Sequence, residues 1–185
     1  MGCDIHVYIE KRVDNQFPWD TDEGHVVETE IYGEGETYQW LQQVSATGRD
    51  YNLFGYLAGV RRVPDGALEP RGVPSCVSKP IAEEYGRQGS DAHSASYLYL
   101  EEFKECLVRA GYDLESSDVS DAFYDYNDPK FIDDFTGKRD WKLMPPEYIT
   151  IVNYCQKWID EIAKEDFLGI DKYRPEVRII FWFDN

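Results

Sequence analysis

The hydrophobic and polar positions alternate from the first residues. In Met1–Glu10, "MGCDIHVYIE", Cys3, Ile5, Val7 and Ile9 fall on one side and Asp4, His6, Tyr8 and Glu10 on the other. Side chains repeat every two residues along a strand, so the stretch predicts a strand over residues 3–9. Its polar side either lines a site inside a sheet or is the wet face of a half-exposed strand. After a polar turn, Asn15 to Gly24, a second alternating run from His25 to Ile31 predicts another strand, broken by Gly33-Glu34-Gly35. The last residues, "VRIIFWFDN", are β-branched and aromatic on both sides, the pattern of a central strand buried on both faces.

Between these strands the period changes. Residues 48–62, "GRDYNLFGYLAGVRR", predict a turn and a short helix. Asp50 or Asn52 caps it, and Leu53, Phe54, Leu57 and Val60 form its apolar stripe. Gly55 and Gly59 lower helix stability by about 1 kcal/mol each against Ala, which points to close approach by a backbone or a ligand. Prolines and glycines make residues 64–80 a loop. A helix then begins at Pro80 and ends near Gly89. "GSDAHSASY" (89–97) reads as a second polar loop. Leu100, Phe103, Leu107 and Val108 mark a helix closed by Gly111. Residues 112–142 are acidic and irregular, an insertion or lid. A long helix over 146–165 carries Ile149, Val152, Cys155, Ile159 and Ile162.

The order of elements predicts an α+β chain of one domain, residues 1–185. Its mixed sheet has the first and last strands central and is packed by helices. Helices do not alternate regularly with strands, so regular α/β winding is not expected.

Composition narrows the function. A net charge of −17 repels the phosphate backbone, so duplex nucleic acid is not an expected partner. It leaves room for a small anion held by local arginines. No apolar run reaches membrane-spanning length, and no signal peptide is expected. Cys3, Cys76, Cys106 and Cys155 are widely spaced. They read as reduced thiols of a cytoplasmic protein, with Cys106 and Cys155 on buried helix faces.

Asp-x-His occurs twice, as Asp4-Ile-His6 and Asp91-Ala-His93, in a chain with three histidines. On a strand this spacing turns both side chains the same way. That suits a carboxylate orienting a general acid or base, or a divalent metal ion as cofactor. The competing readings are a strand-surface histidine and a turn-capping aspartate. Arg49 and Arg71 sit in stiff turns beside Asp50 and Pro70. There they either clamp phosphate oxygens or pair with structural carboxylates. The candidate catalytic residues are therefore His6, His93 and Asp91. The candidate ligand-binding residues are Asp4, Arg49, Asp50, Arg71 and Ser94.

"MGCDIH", "GRDYNLFGYLAGVR", "PRGVP", "SDAHS" and "RIIFWFDN" together resemble a group of small proteins encoded in phage and prophage genomes. The resemblance covers both ends and residues 48–97, and leaves out 112–142. It implies a phage-associated protein in the cytoplasm of a bacterial host. It also leads one to expect a second histidine at position 95. Ala95 stands there, which argues against a histidine-rich metal cluster.

In that setting the expected function is action on a small phosphorylated ligand, namely hydrolysis of a linear or cyclic nucleotide that serves as an immune signal. The alternatives are a homo-oligomeric sponge that binds such a signal unchanged, and an acidic inhibitor that binds a host defence protein.

Overall fold

A computed structural model describes residues 3–21, 26–30, 37–41, 49–114, 147–164 and 173–184. Its centre is the pairing of strand β1 (Asp4–Arg12) with strand β6 (Glu176–Asp184). They run antiparallel in unbroken register from Asp4 opposite Asp184 to Arg12 opposite Glu176. Strand β2 (Asp20–Thr21) pairs with β1, and β5 (His93–Tyr99) with β6, giving the order β2-β1-β6-β5. Strands β3 (Val26–Glu30) and β4 (Thr37–Leu41) form a separate two-stranded ribbon. The fold is α+β with the N- and C-terminal strands central. All described ladders are antiparallel, which corrects the expectation of a mixed sheet.

Both faces of the central strands are covered. Cys3, Ile5, Val7 and Ile9 of the β1 segment join Val177, Ile179, Phe181 and Phe183 of β6 in the larger core. Helices α1 (Tyr51–Ala58), α3 (Leu100–Ala110) and α4 (Glu147–Lys164) pack on that face. On the other face, Tyr8, Ile180, Trp182 and Ala95 meet Ile81 and the partly buried Tyr85 of helix α2 (Lys79–Gln88). Residues 177–183 are consequently buried without a break. Each large apolar side chain so enclosed contributes about 1.5–3 kcal/mol relative to an exposed one.

The second face of β1 is polar in sequence, yet beyond Asp4 and His6 it is not wet. Glu10 and Arg178 are opposite each other on it, and both are out of solvent. Arg178 Nε donates to Glu10 Oε2 at 2.5 Å, and the Ser78 amide donates to Glu10 Oε1 at 2.6 Å. Arg178 also donates to the Cys76 carbonyl and lies 4.1 Å from the Trp19 ring centroid. The pair thus ties the 70s loop to the sheet.

Local signals explain the helices. Asp50 caps α1 by accepting from the Asn52 and Leu53 amides at 2.9 and 3.1 Å. Gly59 ends α1 in the left-handed region at φ 65°. A Cβ on Gly55 would come within 2.7 Å of Arg62 Cγ and 3.1 Å of the Arg62 carbonyl oxygen. The close approach expected at this glycine is therefore made by the chain itself. Pro80 occupies the first turn of α2. Gly111 closes α3.

Three expectations need correction or limits. Residues 93–97 are not loop but most of β5, an outer strand built from small residues. Its outer side is closed by the Gly72 amide on the Ala95 carbonyl and by the Arg71 amide on Ser96 Oγ. Such tertiary partners override the weak strand propensity of Ser-Ala-Ser. Val108 is 57% exposed, and Cys106 takes the buried place on α3. Of the insertion or lid expected at 112–142, residues 115–142 lie outside the described residues.

Candidate functional site

One end of the sheet gathers most of the chemistry-bearing residues. There the start of β1 meets the end of β6, the start of β5 and the turn into α1. His6 and Trp182 are opposite residues of the β1–β6 ladder, and their rings stack with centroids 5.9 Å apart. His6 Nε2 lies 3.1 Å from Asp184 Oδ2. The carboxylate accepts, so Nε2 carries the hydrogen and Nδ1 is left as the basic nitrogen. The other carboxylate oxygen of Asp184 accepts from the Asp4 amide at 3.3 Å.

Asp4 shares the His6 side of β1, as the i, i+2 spacing requires, but it does not orient His6. Its carboxylate takes a two-bond fork from Arg49, Nε to Oδ1 at 2.6 Å and Nη2 to Oδ2 at 2.9 Å. These charge-assisted bonds hold the Asp4 carboxyl below the usual carboxylate range and raise the Arg49 guanidinium above its own. Both side chains remain about half exposed. The orienting carboxylate is Asp184, which sequence reasoning missed. Its signal was the parity of the final strand, which makes Asp184 the cross-strand neighbour of Asp4.

His93 reaches the same end of the sheet from the opposite face. It is paired with Phe183 and stacked on that ring. Phe183 belongs to the larger core and Trp182 to the smaller one, so the two histidines do not share a face. His93 Nε2 is 4.0 Å from Cys3 Sγ, and Nδ1 is 3.1 Å from Ser94 Oγ. Cys3 was not among the expected site residues.

The structure therefore places Asp4, His6, Arg49, His93 and Ser94 at one end of the sheet, with Asp4, His6 and Arg49 on one face and His93 on the other. Asp50 lies close in sequence but is engaged as the α1 cap and as acceptor of the Tyr112 hydroxyl at 2.6 Å. Arg71 is elsewhere. It forks onto Glu102 at 2.9 and 2.5 Å, near the far end of β5, where its Nη1 also donates to the Tyr97 carbonyl. Asp91 ends an exposed single 3-10 turn, Gly89–Asp91. His93 takes its hydrogen-bond neighbours from Cys3 and Ser94 instead.

Among the described residues no three His, Cys, Asp or Glu side chains are grouped to hold a metal ion. Among them, too, no helix is long and apolar enough to cross a membrane. No family model matches the chain, nor does any curated protein or solved structure.

Proposed function

We propose that the protein binds a small phosphorylated ligand, a nucleotide, at this end of the sheet and hydrolyses a phosphoester bond in it. The observation that carries the reading is the His6–Asp184 pair at 3.1 Å beside the Arg49–Asp4 fork. An imidazole fixed by a carboxylate is equipped to move a proton in the transition state, typically for a gain of about 10²–10⁴ in rate. A guanidinium that already meets a carboxylate in fork geometry presents the same two donors to a phosphate. Phosphate oxygens compete with Asp4 for Arg49, and His6, its Nε2 hydrogen held by Asp184, takes the proton of the attacking water. His93 serves as the acid at the other side of the strand end. The resemblance to phage-encoded proteins supports a nucleotide immune signal of the bacterial host as the ligand. Arg71 and Asp50 are committed to Glu102 and to the α1 cap, so the reading does not use them.

One observation favours a second reading, a sponge that binds the nucleotide and returns it intact. The two histidines stand on opposite faces of the sheet, which separates the groups that acid–base catalysis needs together.

Incubation with a panel of linear and cyclic nucleotides, followed by chromatography of the released ligand, decides between them. A new product supports the hydrolase. Retention of an unchanged nucleotide supports the sponge. A panel that is neither bound nor altered removes both.

A further inference from the structure

Two arginine–carboxylate forks stand toward opposite ends of the sheet, and they are held differently. Arg71 and Glu102 are also tied to backbone, through the Tyr97 carbonyl and the Tyr99 amide. Arg49 and Asp4 have no such anchor. Among the described residues the Asp4 carboxylate accepts from Arg49 alone, and the Arg49 guanidinium donates to Asp4 alone. Their side chains are 51% exposed for Arg49 and 54% for Asp4. An ion pair so open to water is weak and readily exchanged. A phosphate that takes the place of Asp4 in the fork does not remove its charge. The Asp4 carboxylate stays within reach of its own side chain. Asp184 stays too: its Oδ1 accepts from the Asp4 amide at 3.3 Å, and its Oδ2 lies 3.1 Å from His6 Nε2. The neighbourhood of α1 adds Asp50, fixed as the cap, and Arg61, 5.7 Å from the Tyr51 ring centroid. These are two guanidiniums against three carboxylates, with His6 neutral in its role as base.

We propose that this site takes a phosphodiester in preference to a phosphomonoester, and that Asp4 sets the preference. The inference rests on the nucleotide reading and names the class of phosphate within it. A diester carries one negative charge. A terminal monoester carries about −1.5 to −2 at neutral pH. Either ligand breaks the same Asp4–Arg49 contact on entering the fork, so that loss does not tell them apart. The surrounding charge does. Arg49 offsets one negative charge. The second charge of a monoester faces Asp4 and Asp184 with no guanidinium left for it in the fork. Like charges about 4 Å apart weaken binding by about fivefold even at the dielectric of water. The discrimination is by repulsion of the wrong ligand rather than by closer fit to the right one. A cyclic nucleotide, or two nucleosides joined by a diester, meets this condition. A nucleotide whose only phosphate is a terminal monoester does not.

AMP and its methyl ester isolate this charge, since they share base and sugar and differ by one methyl group on a phosphate oxygen. Calorimetric titration at low ionic strength, where exposed charges are little screened, gives their dissociation constants. Where an ester is consumed, kcat/KM takes their place. The unaltered protein should favour the methyl ester by about fivefold or more, and Asp4→Asn should move the ratio toward AMP by about fivefold. Arg49→Gln should weaken both esters. AMP bound as tightly as the methyl ester, or more tightly, overturns the preference and leaves the nucleotide reading standing. A ratio unmoved by Asp4→Asn removes Asp4 as its source and overturns the inference as well. Binding of both esters unchanged by Arg49→Gln puts the phosphate elsewhere, with the same consequence. Neither ester bound by the unaltered protein also overturns it, and the wider nucleotide panel then decides separately whether the nucleotide reading falls too.

Discussion

Glu10 and Arg178 face each other across the two central strands, both buried, and are joined at 2.5 Å. Two charges taken out of solvent are costly, and their attraction offsets that cost only while both are present. Arg178→Met should therefore destabilise the fold by about 3–5 kcal/mol, because it leaves a buried carboxylate unpaired. The double variant Glu10→Gln/Arg178→Met should recover a large part of the loss. Urea denaturation of the single and double variants checks this. A double variant as unstable as the single would show that the pair acts through packing on Trp19 rather than through charge.

Trp182 has the opposite balance. It is fully buried between His6, Tyr8 and Tyr85, and its indole nitrogen is without a hydrogen-bond partner among the described residues. Removing an unsatisfied buried donor relieves about 1–3 kcal/mol of desolvation cost. Trp182→Phe should thus be close to neutral, whereas Trp182→Ala should cost about 3–5 kcal/mol. Thermal melts compare them. A large loss in the phenylalanine variant would mean that the indole N–H has a partner in solution, such as a bound water.

Acid should weaken the fold in a defined window. Hydrogen bonding to Arg49 and Arg71 is the first cause that lowers the Asp4 and Glu102 carboxyls below their ordinary values. A carboxylate lowered in the folded state binds its proton less readily there than in the unfolded chain. Its stabilisation is complete above the ordinary carboxylate range and fades as pH falls through that range to the lowered folded value. The urea midpoint should drop between about pH 5 and about pH 2, and Glu102→Gln should flatten part of that slope. An unchanged slope in that variant would remove Glu102 from the account.

The site reading makes its own demand on Asp184. If this carboxylate fixes the His6 tautomer, Asp184→Asn should lower nucleotide turnover by about a hundredfold or more and alter its pH profile. Circular dichroism should remain unchanged. Full activity in Asp184→Asn, with His6→Ala inactive, would leave His6 at work without its orienter.

Much of the frame was legible because it depends on short periods. Alternation at residues 3–9 and the apolar run before Asn185 placed the two central strands, and the spacing of Leu53, Phe54 and Leu57 placed α1. Position alone narrowed the cap to Asp50 or Asn52, and the structure assigns it to Asp50. β5 could not be read, because Ser94, Ala95 and Ser96 have no strand pattern of their own and are held by β6 and the 70s loop. The site was half legible for the same reason. Asp4 and His6 share a side by parity, but their partners, Arg49 and Asp184, come from distant segments. Arg71 was drawn to Glu102, a carboxylate 31 positions away that the local motif does not reveal. The face on which His93 stands is decided by a register slip, which no spacing rule anticipates.

The pairing of β1 with β6 also fixes the order of events when the chain folds. Asp4 and Asp184 touch across 180 positions of sequence, so the middle of the sheet is its least local contact. A two-residue β2 is the only other described neighbour of β1. During synthesis β1 therefore emerges long before its principal partner exists. Ile5, Val7 and Ile9 must wait without their sheet while the long span between β1 and β6 is made. Loop-closure entropy of that span is met before any β1–β6 bond forms, which makes folding slow and strongly cooperative. Any truncation that removes β6 would take with it the core on both faces and the His6–Asp184 pair at once, leaving an early strand exposed to association with other chains.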